Sequence, residues 1–438
     1  MTTRVPLLVS AFAVLMVAAV VFADSRDERS ERPDQEGRIA GQYIVVLKDS
    51  VTDLDAVQTQ LIAAGQGEAL GSYRHALRGF AARFSDAEIE VIKNDPRVEF
   101  VSEDYSVSIM QSRDNAGALA RPLARSSPFA VAAQTLPTGI DRINAEGKEN
   151  TGAGVQVAVI DTGIDINHPD LKGNVLGGRN CTSWNASAYI DQNGHGTHVA
   201  GTIAALKNTQ GVVGVAPSAK LWAIRVLDRY GNGSWSSVIC GLDTVAANGP
   251  KNGGSITVAN MSLGGAGSND GNCGQTNKDA LHQAVCRVRD AGVTLVVAAG
   301  NSGADTSKAV PAAYDDAVIT VSALADSDGK GGALGKATSF GADDTFASFS
   351  NYGSAVDIGA PGVNINSTWL SKTYKTISGT SMASPHVAGA AALYIAKNPG
   401  ASWTQVRDAL IGAGEAIGAG HSDPSGKHPE RVLRADTL

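Results

Sequence analysis

The chain contains 438 residues, with a formal net charge of −7 and a pI near 5.6. This acidic balance, without any Lys/Arg cluster, argues against a nucleic-acid partner. The composition is 43% hydrophobic and 18% charged with 50 glycines. Such a composition excludes a largely disordered chain and suits an α/β protein with many tight turns. Because the length exceeds that of a typical domain, we expect more than one folding unit.

The N-terminus has the pattern of an export signal. Arg4 precedes an apolar run over residues 5–22, and Ala23 is followed by a strongly charged stretch. We predict a signal peptide over residues 1–23, a polar spacer over 24–38, and a secreted, extracellular protein that leaves the membrane when the signal is removed. The run is long for a signal, so an uncleaved membrane anchor is the alternative.

Residues 39–110 are predicted to form a small α+β domain. The predicted order is a strand at 43–48, a helix at 53–64, strands within 69–84, a second helix and a strand at 98–109. Ser85 and Glu88 form a capping box that begins the second helix, and Pro96 ends it. Residues 111–132 are rich in Ala, Arg, Ser and Pro, which predicts a linker that is removed on maturation.

From Ala133 onward, short apolar runs alternate with amphipathic stretches, as expected for a mainly parallel sheet covered by helices on both faces. Helices are predicted at 237–247 and 277–291. Residues 403–438 are predicted to be a final helix and an extended end, with no appended domain. Residues 133–438 are therefore predicted to be one α/β domain.

All four cysteines lie in this second part, and an even count in an exported chain favours two disulfides. Three pairings are possible. We favour Cys273 with Cys286, which closes a short loop, and Cys181 with Cys240. A metal–thiolate site is less favoured because no CxxC pair is present.

Three segments carry candidate catalytic residues. Asp161 follows an apolar strand, His195 opens a helix between glycines, and Ser381 begins a long helix of small residues. A serine hydroxyl needs an imidazole to take its proton, and the imidazole needs a carboxylate to orient it. The order Asp, His, Ser is one of those known for this machinery. Asn301, after another strand, and the backbone N–H of Ser381 are predicted to stabilise an oxyanion.

These motifs resemble those of the subtilases, and the resemblance extends over residues 133–438. Within this family the chain is similar to the extracellular bacterial branch near subtilisin and proteinase K. The resemblance implies a three-layer α/β fold and a serine endopeptidase of broad specificity that binds extended polypeptides as an added strand. The residues it assigns to substrate binding are Gly231, Gly233, Ser234, Trp235, Ser262, Leu263, Gly264, Ala298, Ala299 and Gly300.

The resemblance also implies structural calcium, and no cofactor for catalysis. The first site would use side chains of Gln134, Asp170 and Asn208 with carbonyls of Leu206, Gln210 and Val212, the alternative being a plain surface turn. A second, weaker site would use Asp357 with carbonyls of Asp316 and Val318. Asp326 and Asp328, in an Asp/Gly-rich loop, are more typical of a turn.

Residues 39–110 resemble the ferredoxin-like inhibitor propeptide of such enzymes. The implied role is that of an intramolecular inhibitor and folding aid whose C-terminal tail lies in the active site. AQTLP resembles a mature N-terminus, which predicts processing before about Ala133 and thereby access of Gln134 to the ion. The mature enzyme is expected to be a monomer.

The sequence disfavours three rival functions. His195 and His198 have a spacing that can bind zinc, but HGTH lacks the glutamate of HExxH. An α/β-hydrolase is disfavoured because GTSMA is not GxSxG and the residue order differs. A catalytically inactive relative kept as a binding module has no physical need for all of Asp161, His195, Ser381 and Asn301.

Overall fold

The computed structural model describes Met1 and residues 37–110, 133–183 and 185–438. The predicted signal peptide, most of the polar spacer and the predicted linker over 111–132 lie outside the described residues. The described residues from Gly37 to Leu438 belong to one unit, which contains both the α+β domain and the larger α/β domain.

The smaller domain is an antiparallel sheet with two helices on one face. Its strands follow the order β4-β1-β3-β2. Its elements are β1 (Arg38–Leu47), α1 (Leu54–Ala64), β2 (Glu68–Tyr73), β3 (Gly79–Arg83), α2 (Asp86–Lys93) and β4 (Val98–Ile109). The predicted capping box is formed by Ser85 and Glu88, and α2 ends at Lys93, before Pro96. The prediction of a ferredoxin-like α+β domain is confirmed.

In the larger domain the structure forms a mainly parallel sheet. Within the described residues its strand order is β18-β15-β13-β11-β9-β5-β7-β6, and β14 adds antiparallel to β13. The strands of this sheet are β5 (Gln156–Asp161), β6 (Val175–Asn180), β7 (Lys220–Arg225), β9 (Ile256–Met261), β11 (Thr294–Ala298), β13 (Ile319–Ala325), β14 (Thr345–Phe346), β15 (Ile358–Pro361) and β18 (Arg431–Val432). Continuous apolar runs such as that of β5 are buried on both faces, as parallel strands require.

Helices cover both faces of this sheet, so the predicted three-layer architecture is confirmed. The helices of this domain are α3 (Thr138–Arg142), α4 (His195–Ala204), α5 (Trp235–Ala247), α6 (Ala280–Asp290), α7 (Thr380–Lys397) and α8 (Trp403–Ala413). Side chains from α4, α7 and α8 form one hydrophobic core, and side chains from α5 and α6 form the other. The small residues of α7 let it lie buried against the sheet and α4.

Short strands outside the main sheet connect the two domains. They are β8 (Asn232–Ser234), β10 (Leu263–Ala266) and β12 (Ala309–Val310). Strands β16 (Ile365–Trp369) and β17 (Thr373–Ile377) form a separate hairpin that does not take part in this connection. The first half of β4 pairs with β1, and its last residues pair with β8 and β10. The sheet of the small domain thus continues directly onto the larger domain.

The second face of the small domain packs on α5. Ile44 and Phe100 from the small domain share a hydrophobic core with Val238 and Leu242 of α5. The Tyr73 hydroxyl donates to the carbonyl of Ser236 at 2.9 Å. The association therefore combines apolar burial with hydrogen bonds at the start of the helix.

Two disulfides are present, Cys181–Cys240 and Cys273–Cys286, and the described chain has no free cysteine. The favoured pairing is thereby confirmed. No helix in the described part of the chain is long and apolar enough to cross a bilayer.

Candidate active site

Asp161 and His195 form a buried pair where two elements meet. Asp161 is the last residue of β5 and His195 the first of α4, and both are fully buried. Nδ1 of His195 lies 2.8 Å from Oδ1 and 2.9 Å from Oδ2 of Asp161. Because a carboxylate only accepts hydrogen bonds, Nδ1 donates and the lone pair is left on Nε2. That tautomer can accept a proton at Nε2.

Asp191 positions the first turn of α4. Its carboxylate accepts hydrogen bonds from the backbone N–H of Gly194 at 3.0 Å and of Thr197 at 3.0 Å. Gly194 has a φ of 112°, a conformation that favours glycine, and a Cβ there would fall 2.3 Å from the ring of Trp369. The backbone around His195 is therefore held on both sides.

Ser381 is the second residue of α7 and is fully buried. Its Oγ lies 2.5 Å from the carbonyl oxygen of Met110 and 3.0 Å from that of Ser262. Helices α4 and α7 pack together, which brings Ser381 to the same end of the sheet as His195. In this uncut chain the hydroxyl is directed at the Met110 carbonyl, and Nε2 of His195 has no partner among the described residues.

Asn301 follows β11 and is anchored through its oxygen. Its Oδ1 accepts from the N–H and from the hydroxyl of Thr380, each at 2.9 Å. This anchor presents the amide nitrogen as a donor, and Nδ2 is buried without a partner in the described residues. Buried polar atoms without partners are rare in folded proteins. Two of them, the acceptor Nε2 of His195 and the donor Nδ2 of Asn301, belong to the residues grouped with Ser381. The arrangement can take up a proton and stabilise a negative oxygen.

The predicted substrate-binding segments flank residues 106–110 of the chain itself. Ser106, Val107 and Ser108 pair antiparallel with Ser234, Gly233 and Asn232. On the other side Ile109 and Ser108 pair antiparallel with Leu263 and Gly264.

Backbone hydrogen bonds extend this ladder up to Ser381. The N–H of Ile109 donates to Gly231 at 3.0 Å and that of Met110 to Ser262 at 3.3 Å. Residues 106–110 therefore add as a central strand between two edges, ending at Ser381.

The other predicted substrate-binding residues lie beside this ladder. Trp235 begins α5 and is buried in the core that contains Val107. Ala298, Ala299 and Gly300 are buried at the end of β11, and the N–H of Gly300 donates to the Thr380 hydroxyl at 3.1 Å.

Comparison with known proteins decides the family. Residues 152–425 match the model of the Subtilase family, and residues 42–110 match that of the Peptidase inhibitor I9. This chain is a subtilase. It is accordingly a serine endopeptidase with an I9 propeptide domain, and the resemblance inferred from the motifs is confirmed.

Known subtilases match it over almost their full length. Subtilisin NAT of Bacillus subtilis subsp. natto is 34% identical over 412 residues, which cover 93% of each protein. An alkaline protease of Shouchella clausii is 36% identical over 410 residues, which cover 92% of each. A crystal structure of a cold-adapted subtilisin-like serine proteinase has a TM-score of 0.55 and 37% identity, covering 68% of this chain and 97% of that one.

The residues predicted for the first calcium site converge in this subtilase. Nε2 of Gln134 lies 2.8 Å from the carbonyl oxygen of Leu206, 3.0 Å from that of Val212 and 3.3 Å from that of Gln210. It also lies 3.3 Å from Oδ1 of Asn208. One NH₂ group has two hydrogens, so four acceptors around it exceed what it can satisfy.

Asp170 completes this group through Asn208, whose Nδ2 donates to Oδ1 of Asp170 at 2.9 Å. The Tyr374 hydroxyl and the N–H of Val212 donate to the other carboxylate oxygen. A surplus of oxygen acceptors with one carboxylate is the donor set that a hard cation such as calcium prefers. Gln134 lies here in the uncut chain, so its position does not depend on prior processing.

The residues predicted for the second site have other partners. The carbonyl oxygen of Asp316 accepts from the guanidinium of Arg289 at 2.8 Å, and its carboxylate lies 2.8 Å from Nε2 of His282. Asp357 accepts from the N–H of Thr320, and burial raises its pKa to about 7. Val318 is buried nearby. Because Arg289 already places a positive charge at Asp316, this group is poorly suited to a cation.

His198 does not act with His195 as a zinc pair. Its Nε2 lies 3.0 Å from the carbonyl oxygens of Ile365 and Lys375, and burial lowers its pKa to about 3. Where the described residues bring three or more candidate metal ligands together, neither histidine is included. His198 therefore holds the β16–β17 hairpin against α4.

Sequence reasoning missed several residues that shape the site. Met110 ends the bound strand, and Asp104 and Asp243 join the propeptide domain to α5. Asp104 and Asp243 gave no signal because the contacts that they make between the two domains span more than 100 residues in sequence.

Proposed function

We propose that this protein is a secreted, self-processing subtilase in which Asp161, His195 and Ser381 form the catalytic triad and Asn301 assists the oxyanion. The observation that carries this proposal is the buried Asp161–His195 pair, together with a serine hydroxyl 2.5 Å from the carbonyl of an extended strand. Asp161 keeps the imidazole oriented and stabilises it when protonated.

Each catalytic group has a defined role in the proposed reaction. Nε2 of His195 takes the proton of Ser381 as Oγ attacks the carbonyl carbon, and then gives it to the leaving nitrogen. The Asn301 amide and the backbone N–H of Ser381, at the N-terminus of α7, donate to the oxyanion. Backbone pairing to β8 and β10 binds any sequence in extended form, so broad specificity follows.

The proposed maturation begins with removal of residues 1–23 as a signal peptide and secretion. The domain at 39–110 then acts as folding aid and inhibitor, and residues 111–132 are removed. Residues 133–438 form the mature enzyme. The I9 match and the strand pairing of β4 in the cleft support the inhibitor role of this domain.

We further propose that calcium stabilises the fold. Gln134, Asp170 and Asn208, with carbonyls of Leu206, Gln210 and Val212, would hold it, and the surplus of acceptors around Gln134 supports this assignment. A rotation of the Gln134 amide would present its oxygen instead of its nitrogen. The ion would supply structural cross-linking only, because no catalytic step needs it.

The nucleophile is tested by comparing casein hydrolysis by the secreted wild type, Ser381→Ala and Ser384→Ala. Ser384 is also buried on α7, where its hydroxyl donates to Oδ1 of Asn260 at 2.7 Å, so it is a matched control. We expect activity and self-trimming in the wild type and in Ser384→Ala, and neither in Ser381→Ala. Activity that survives in Ser381→Ala would refute the triad.

Calcium is tested by thermal unfolding with and without EGTA. We expect EGTA to lower the unfolding temperature of the wild type and to have no further effect on Asp170→Asn. Asp290→Asn, at an exposed carboxylate, should respond like the wild type. An equal EGTA response in Asp170→Asn would refute this site.

A further inference from the structure

The chain presents one particular peptide bond to its own serine. Of the residues in the cleft, Met110 is the one whose carbonyl oxygen lies 2.5 Å from Oγ of Ser381. Its own N–H donates to Ser262, so the residue is held on both sides of its Cα. The bond that a serine nucleophile breaks is the one that follows the carbonyl it attacks. In this chain that bond joins Met110 to Gln111.

Side-chain contacts show that these residues fill built subsites. A Cβ on Gly264 would fall 2.2 Å from the terminal methyl group of Met110, so the Met110 side chain lies directly over this glycine. Likewise, a Cβ on Gly231 would fall 2.9 Å from the Ile109 side chain. Val107 is 3% exposed and shares its hydrophobic core with Trp235. Residues 107–110 (Val-Ser-Ile-Met) therefore occupy the cleft in the way that a substrate strand would.

The mature N-terminus predicted near Ala133 lies elsewhere in the same molecule. Ala133 pairs with Gln210, and the N–H of Gln134 donates to Thr209. These contacts belong to the candidate calcium loop, and the cleft at Ser381 is already filled by Met110. One molecule therefore has its own serine at Met110 and not at the bond before Ala133.

We infer that maturation requires two different cuts: Ser381 first cleaves its own chain between Met110 and Gln111, and residues 111–132 are removed later by another enzyme molecule. This inference rests on the proposed triad. It adds the bond, the order, and a preference for an apolar residue before the bond that is cut.

The first cut balances as an ordinary peptide hydrolysis. Oγ of Ser381 bonds to the carbonyl carbon of Met110, and its proton passes to Nε2 of His195. The carbon–nitrogen bond to Gln111 breaks as that proton moves to the nitrogen. Water then cleaves the ester, which leaves Met110 with a free carboxylate in the cleft. The oxyanion has the unpaired amide of Asn301 as its available donor.

The order has a kinetic consequence. Since the first cut is intramolecular, its rate does not depend on protein concentration. The product strand, still paired with β8 and β10, keeps the cleft of its own molecule filled. The second cut therefore needs a molecule whose cleft is free, and its rate rises with concentration.

The test follows full-length secreted precursor by intact mass and N-terminal sequencing over a 100-fold range of dilution. We expect the first new N-terminus to be Gln111, at a rate that is unchanged by dilution, and a later N-terminus near Ala133 whose appearance slows on dilution. Met110→Asp should slow the first cut at least 10-fold, and the matched variant Met110→Leu should not.

Failure of this inference differs from failure of the proposed function. If the wild type hydrolyses casein but its first new N-terminus is not Gln111, the two-cut order is overturned and the triad stands. If the wild type neither cuts itself nor casein, both are overturned. The wild-type dilution series needs no variant, so a misfolded Met110→Asp leaves the inference falsifiable.

Discussion

The carboxylate of Asp104, in the propeptide domain, accepts a hydrogen bond at 3.0 Å from the backbone N–H of Ser236, in the first turn of α5. Its other oxygen accepts from the side chain of Gln42 at 2.6 Å. Asp104 is fully buried, and burial raises its pKa. The inhibitor domain thus supplies an acidic group to a backbone N–H in the first turn of α5, which has no partner within the helix. The helix N-terminus also favours a negative charge at this place.

We expect Asp104→Ala to weaken the hold of the propeptide domain on the enzyme by about 5- to 30-fold, because loss of a helix cap costs about 1–2 kcal/mol. The measurement dilutes precursor that has been cut but still holds its propeptide domain. The concentration at which half of the full protease activity appears reports the strength of the association. Glu103→Gln, at an exposed neighbouring carboxylate, is the control and should dilute like the wild type. Equal behaviour of Asp104→Ala would show that apolar packing alone holds the domain.

The two disulfides are predicted to contribute unequally to stability. Cys181–Cys240 spans 59 residues, and Cys273–Cys286 spans 13. In the chain-entropy view, the longer loop loses more freedom in the unfolded chain, giving roughly 4 kcal/mol against roughly 3 kcal/mol. Double Cys→Ser variants in a Ser381→Ala background, unfolded in urea, measure both. A larger loss for the 13-residue loop would show that native packing, and not loop entropy, sets the difference.

The short motifs and the strands were predictable from sequence because their signals are local. The apolar run ending at Asp161 and the glycines around His195 specify a strand end and a helix start within ten residues. The predicted strand over 98–109 has the observed bounds of β4.

The position of Met110 could not be predicted from the sequence. It depends on the pairing of the end of β4 with β8 and β10, which lie over 120 residues further along the chain. The burial of Arg142 could not be predicted either. It lies in a five-residue helix, fully buried, and its partners Asp344 and Glu415 are more than 200 residues away. Nothing in the local sequence indicates a buried ion pair of such separation.

This buried ion pair predicts a pH dependence. Burial alone would raise the pKa of Glu415, but hydrogen bonds from His421 and Arg142 lower it to about 2. The pKa of Glu415 in the folded chain lies below its usual value of 4.5, so this stabilisation is complete above about pH 4.5 and is lost as the pH falls through 2. Removal of one partner of a buried pair typically costs about 3–5 kcal/mol.

We therefore expect Glu415→Gln to be destabilised most above pH 5 and to approach the wild type near pH 2. Urea unfolding between pH 2 and 8, again in a Ser381→Ala background, gives the difference in unfolding free energy. The control Asp408→Asn removes a carboxylate with 65% exposure and should show a small difference at every pH. A Glu415→Gln deficit that stays constant down to pH 2 would contradict the assigned pKa.

Asn301 offers the sharpest test of the chemistry, because its two amide atoms have separate tasks. Oδ1 holds the start of α7 through Thr380, and Nδ2 is left unpaired for a negative oxygen. Removal of the corresponding kind of donor from a subtilisin is known to lower kcat on the order of 10²- to 10³-fold, and we expect Asn301→Ala to fall in this range with KM nearly unchanged.

The loss of the Thr380 anchor has to be separated from the loss of the donor. Thr380→Val removes the hydroxyl that donates to Asn301 but leaves the backbone N–H of residue 380 and the Asn301 amide in place. We expect it to lower kcat far less than Asn301→Ala does. Similar losses in the two variants would mean that Asn301 acts by positioning α7, whereas a KM effect without a kcat effect would remove it from the transition state.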